Sequence, residues 1–149
     1  MGKLQSGSTV EDRINELAGL ISVLENYYES VISRIYLIGQ AIEETKAAQT
    51  AIETLPENSE AEIILPVGGD VLLKTKVDQN TKIMVKLGGG VIMVKKKGEA
   101  LEFLKNRLEE LEKALTNAQQ DKKVVEEKLE EARYELNELL KKVQNVRQA

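Results

Sequence analysis

The sequence predicts an α+β chain, a long antiparallel two-helix coiled coil with two β-hairpins at one end that join an inter-subunit β-barrel hub. Three observations carry this reading. Apolar residues recur in alternating steps of three and four from Val10 to Ile52, and again from Leu101 to Val146. That is the spacing of helices that supercoil around a partner. Between the two seams stands a β-patterned segment punctuated by glycine. Finally, 31% of the 149 residues are charged and only 3% aromatic, with Phe103 the single Phe and no Trp. Such a composition suits long helices with charged outer faces better than a globular core.

The N-terminus, residues 1–8, reads as a flexible polar lead-in. A coiled-coil helix is expected over 9–55. Ser8 with Glu11 has the spacing of a capping box, and Thr9 with Asp12 repeats it one residue on. Pro56 cannot continue a helix, so it sets the end. At 1.5 Å per residue this helix is roughly 70 Å long. Gly19 and Gly39 read as tolerated defects within it. Residues 56–60 form a polar connector.

Residues 61–97 should hold four strands in two hairpins: Glu62–Val67 with Val71–Val77, and Lys82–Leu87 with Val91–Lys96. Gly68-Gly69-Asp70 and Gly88-Gly89-Gly90 supply the positive φ that tight hairpin turns require. A second helix, 98–149, completes the chain. Because the helices match in length, antiparallel pairing brings together residues whose numbers total about 155. Thr45, Gln49 and Lys122 interrupt the seams as polar residues that can set register.

The hairpins cannot stand alone. Fewer than about 40 residues bury too little apolar surface to offset their ordering entropy. Their strands are nevertheless apolar on both faces, with Ile64, Val67, Val71, Leu72, Leu73 and Val77 in the first hairpin. The second carries Ile83, Met84, Val85, Leu87, Val91, Ile92, Met93 and Val94. Strands with two apolar faces and open edges seek other strands, so these residues are expected to build a hub shared between subunits.

At the opposite end, the seams finish in Val10, Ile14 and Leu17 on one helix, and in Leu136, Leu139, Val143 and Val146 on the other, with Leu140 beside them. Terminal turns of a coil lack flanking packing and fray. These side chains are the candidate binding surface for apolar segments.

Several function classes are excluded. The chain has no Cys and no His, so thiolate and imidazole metal sites and thiol chemistry are absent. The Gly88–Gly90 run lacks the further glycine of a dinucleotide fingerprint, since Met93 stands there, and the Lys-Ser/Thr of a phosphate loop. The glutamates around Glu109 and Glu126 are interspersed with Lys113, Lys123 and Lys128 on a helix surface, where solvated charge is the ordinary role. Neither a catalytic constellation nor a cofactor site emerges, and the chain is not expected to be an enzyme. Acidic helices without interleaved aromatics argue against nucleic acid. With no apolar run of spanning length and no signal-like N-terminus, a cytoplasmic location without membrane contact is expected.

The hairpin motifs carry a family resemblance. Ile64-Leu65-Pro66-Val67-Gly68-Gly69-Asp70-Val71-Leu72-Leu73-Lys74 resembles the first hairpin of alpha-type prefoldin subunits. Val85-Lys86-Leu87-Gly88-Gly89-Gly90-Val91-Ile92-Met93-Val94-Lys95-Lys96 resembles their second. The flanking helices also have the lengths found in that family, and an archaeal member is the nearer match. The resemblance implies an ATP-independent holdase, a hetero-hexamer of two alpha-type and four beta-type subunits joined through a double β-barrel. Its partners would be beta-type subunits, a second alpha-type subunit, unfolded proteins held at the coil ends, and a group II chaperonin that receives them. A filament-forming structural protein built on the same hub is the alternative.

Overall fold

The computed structural model describes the backbone of residues 2–148 and the side chains of residues 9–148. The elements run α1 (Gly2–Glu53), β1 (Ala61–Gly68), β2 (Val71–Val77), β3 (Ile83–Gly88), β4 (Val91–Lys95) and α2 (Lys97–Gln148). α1 begins at Gly2, so residues 2–8, expected as a flexible lead-in, have helical backbone, and Ser8 falls inside the helix and is not its cap. Thr9 falls within α1 and is not its cap. The chain divides into two compact units, Met1–Gly39 with Lys113–Ala149, and Gln40–Glu112.

In the first unit the two helices pack antiparallel along their seams. Leu17 and Val31 are each 1% exposed, and Ala118, Val125, Leu129 and Ala132 are also buried. All six are seam residues, so the three-four spacing identified the packed stripe. The flanking charges meet across it. Arg34 Nη2 lies 2.8 Å from Asp121 Oδ2, which satisfies the expected register. Arg133 Nη2 lies 2.9 Å from Glu25 Oε1, only a few positions from it. Tyr28 adds a hydroxyl that donates to Glu126 at 3.2 Å. Lys122, at a seam position, carries its ammonium out to the same carboxylate, 3.6 Å away. Its stem covers the seam while its charge stays in water. α1 passes Gly19 without a break, and a Cβ there would meet nothing within 4 Å.

The second unit holds the inner turns of both helices and the hairpins. α1 closes with a tightened turn, Thr54 N–H donating to Thr50 O and Leu55 N–H to Ile52 O, just before Pro56. Thr45 is a buried seam hydroxyl. It donates to Ala41 O of its own helix at 2.7 Å, a bond that satisfies the group without depending on the register of the partner helix.

The strands form two separate antiparallel sheets, β1–β2 and β3–β4. Both follow one plan. An extra residue, Val67 or Leu87, shifts the register just before the turn, and Gly68 then pairs with Val71 and Gly88 with Val91. The two turn residues that follow have positive φ: Gly69 (58°) and Asp70 (62°), Gly89 (60°) and Gly90 (79°). That is the φ signature of the mirror-image turn whose twist matches antiparallel strands. Between the hairpins, Asn80 N–H donates to Asp78 Oδ1 at 2.8 Å, and Asp78 N–H to Thr81 Oγ1 at 2.9 Å, an Asx-type turn.

Candidate functional site: the hairpin faces and the terminal end of the coil

The hairpins expose the apolar side chains that the sequence assigned to a hub. In the first hairpin, Ile64, Val67, Val71, Leu72 and Leu73 are all exposed. Leu65, which pairs with Leu73 across the strands, is exposed as well and extends the apolar surface beyond the residues expected from the sequence. The second hairpin exposes Met84, Leu87, Val91, Ile92, Met93 and Val94. Three expected hub residues differ. Val77 is 7% exposed, and Ile83 and Val85 are half-buried. Val77 and Ile83 stand at the base of their hairpins, where the chain's own packing covers them, so Val77 is a root of the hairpin and not free surface.

A run of such side chains on two-stranded sheets is far more apolar surface than scattered exposed residues provide. Every strand also keeps one unpaired edge, since each sheet has only two members. Apolar faces with open edges are the chemistry of strand addition by other chains.

A single lysine ties the end of α1 to the start of α2 within this unit. Lys97 Nζ donates to Glu53 O at 3.1 Å and to Leu55 O at 2.9 Å, and Glu57 lies 3.9 Å away. The last carbonyls of a helix have no intrahelical donors and carry partial negative charge, so an ammonium is the fitting cap. Basic character near residue 97 was visible in the sequence; that it would cap the other helix was not.

The terminal end of the coil is more closed than fraying predicts. Leu17 is 1% exposed, and the reason lies beside it. Arg13 forms a two-pronged pair with Glu135, Nε to Oε1 at 2.9 Å and Nη2 to Oε2 at 3.0 Å, and also reaches Glu16 at 3.1 Å. The planar fork fits the carboxylate on both oxygens. The hydrogen bond from Arg13 is the chief cause that holds the Glu135 carboxyl below its usual value. Leu17 is therefore a closed seam residue and not free surface. Val10, Ile14, Leu136, Leu139 and Val143 are half-buried. Leu140 and Val146 are exposed, Val146 at 76%.

The two long flanks of this coil differ in chemistry. One carries Leu20, Val23 and Tyr27, all exposed, beside a groove that also includes Lys128, Glu131 and Glu135. These three residues lie off the seam but keep its three-four spacing, a second short ladder that the longer seam obscured. The other flank is a groove rich in carboxylates, with Glu25, Glu29, Glu126 and Glu130 around Tyr28, Leu129 and Tyr134, and Arg133 paired to Glu25 within it.

Taken together, paired helices with two glycine-turned hairpins define a coiled-coil fold whose strands expose apolar side chains. Comparison with known proteins gives the family. A family model described as prefoldin subunit matches residues 24–142. Prefoldin subunit alpha of Methanoregula boonei is 32% identical over 139 residues, covering 91% of this chain and 86% of that protein. Prefoldin subunit alpha of Nitrosopumilus maritimus is 25% identical over 134 residues, covering 90% and 92%. The chain belongs to the prefoldin family, a family of non-enzymatic chaperones. Among solved structures, the prefoldin beta subunit from Thermococcus strain KS-1 superposes with a TM-score of 0.58 at 21% identity, covering 84% of this chain and 90% of that one. That likeness concerns the fold. The resemblance to alpha-type subunits drawn from the hairpins agrees with the names of both relatives. Among the described residues, no helix is long and apolar enough to cross a membrane.

Proposed function

We propose that this chain is the alpha-type subunit of a prefoldin that holds unfolded proteins without ATP and passes them to a group II chaperonin. The observation that carries the reading is the exposed apolar surface of both hairpins, from Ile64 to Leu73 and from Met84 to Val94. Such surface is costly in an isolated chain and is accounted for by strands shared with other subunits. The assembly is a hetero-hexamer of two alpha-type and four beta-type subunits, located in the cytoplasm. Clients bind at the coil ends through Val10, Ile14, Leu136, Leu139, Leu140, Val143 and Val146, with Leu17 joining where the seam opens. Each end offers a modest apolar patch, and several ends acting together convert weak contacts into useful retention.

The test combines mass and activity. Mixed with its cognate beta-type subunit, the chain should form a particle with the mass of a hexamer that suppresses aggregation of a chemically unfolded client. Serine at Ile14, Leu139, Val143 and Val146 together should leave that mass and the helix content intact while weakening suppression severalfold. Full suppression by the fourfold variant would remove the coil ends as the client site. Failure of the wild-type chain to suppress aggregation would remove the holdase reading itself.

A further inference from the structure

The second hairpin has a charge pattern that the first lacks. From Gln79 to Gly98 the chain contains Lys82, Lys86, Lys95, Lys96 and Lys97 and no Asp or Glu. Lys97 is engaged in capping α1, and Lys95 is half-buried opposite Ile83. Lys82, Lys86 and Lys96 remain. All three are exposed, and none forms an ion pair among the described residues. Strand alternation sets them with Met84, Ile92 and Val94: Met84 pairs with Val94 and Lys86 with Ile92. Lys82 and Lys96 continue the same alternation just beyond the paired residues. Those apolar neighbours are 67%, 56% and 58% exposed.

The equivalent face of the first hairpin is neutralised from within. Lys74 lies 3.0 Å from Glu62 and Lys76 lies 3.9 Å from Glu60. Two hairpins of one chain, built on the same turn plan, thus differ in one respect. The first has its own carboxylates and the second has none.

We infer that the Lys82–Lys86–Lys96 face of β3–β4 is a contact for a different subunit, through a strand or hairpin in which carboxylates alternate with apolar side chains. This rests on the hub reading above and specifies its partner. Charge complementarity selects the occupant. A second copy of the same face would bring lysines against lysines, and like charges across strands destabilise pairing. Nucleic acid would answer the lysines but leave Met84, Ile92 and Val94 without an apolar counterpart, and the hairpin has no aromatic side chain on which a base could stack. An acidic amphipathic strand satisfies both components. The lysines would then contribute to partner choice and to the rate of encounter more than to final affinity.

The experiment uses the full chain and its cognate beta-type subunit, with association measured by surface-immobilised binding at low and high salt. Wild type is compared with Lys82→Glu/Lys86→Glu/Lys96→Glu, with the corresponding triple Gln variant, and with Leu72→Asp in the first hairpin. Circular dichroism confirms helix content in each. The inference expects binding of the wild type to weaken with salt, the Gln variant to weaken by about tenfold, and the Glu variant to weaken further. It also expects binding of the Gln variant to be nearly independent of salt. Wild-type binding that is insensitive to salt and to both triple variants, but lost in Leu72→Asp, overturns the charged contact and leaves the hub intact. Binding that survives Leu72→Asp as well, or no association with the beta-type subunit at all, removes the hub reading and this inference with it. A single-stranded oligonucleotide is the control. If it binds the wild type as tightly as the beta-type subunit and loses affinity in the same triple variants, the face belongs to nucleic acid and the inference is overturned.

Discussion

Lys97 and Glu135 show what individual side chains do in this chain beyond their place in a pattern. The Lys97 ammonium satisfies carbonyls at the end of α1 that its own helix cannot serve, since α1 has no basic residue in its last turn. Lys97→Met keeps the stem and removes the donor. It should lower stability by about 1–2 kcal/mol, read as a lower denaturant midpoint, whereas Lys97→Arg should recover most of the loss. Glu135 carries a pH dependence of definite sign. The Arg13 fork holds its folded-state value below the ordinary 4.5. A lowered carboxylate value means that the stabilising contribution is fully present above about 4.5 and is lost as pH falls through the folded-state value. Thermal midpoints of wild type and Glu135→Gln should therefore differ at neutral pH and converge in acid. Curves that stay parallel through the acid range would show that the fork contributes nothing. Neither role was legible in the sequence, because each depends on an atom more than 40 positions away along the chain.

At the scale of elements, the hairpins were the most legible part. The strands begin and end within two residues of their expected bounds, because glycine punctuation and alternation act locally. The two turns also permit a direct comparison. Asp70, with φ of 62°, occupies the position that Gly90, with φ of 79°, occupies in the second hairpin. A Cβ at Gly90 would meet nothing within 4 Å, so substitution there tests backbone conformation without steric contact. Gly90→Asp should be tolerated, since a short polar side chain can adopt the left-handed region. Gly90→Val should cost about 1–2 kcal/mol and lower protection of the β3–β4 amides in hydrogen exchange. Equal protection in the two variants would mean that the turn does not govern this hairpin. The helices were legible in type and seam, and less so at their junctions. The start of α2 at Lys97 falls one residue before its expected position, and the buried Ala100 belongs to packing that the seam did not announce.

For the molecule as a whole, the central division is between apolar residues that hold the chain together and those offered to other chains. Leu72 and Val77 lie on one strand and look alike in sequence. Leu72 is 64% exposed and Val77 7%. Leu72→Asp should leave the unfolding midpoint of the isolated subunit nearly unchanged and abolish assembly with the beta-type subunit. Val77→Asp should destabilise the subunit by several kcal/mol, since it buries a charge without a partner. Equal loss of subunit stability in both variants would contradict the assignment of Leu72 to an interface. The same division applies along the coil. Leu17 and Val146 were both placed at a client surface, and only Val146 is exposed.

The sequence by itself determined the order of elements, the seams, the turns and the family, because period, glycine position and proline position act over a few residues and are written directly in the chain. It also bounded the chemistry, since a chain without His or Cys has few ways to hold a metal. The tertiary structure decided which seam residues are closed and which are free, with Leu17 sealed beside the Arg13–Glu135 fork. It decided that Thr45 bonds within its own helix, that Lys97 caps the other one, and that Val77 roots its hairpin while Leu72 does not. Burial and long-range pairing depend on what lies opposite each side chain, and periodicity names a face without saying what covers it.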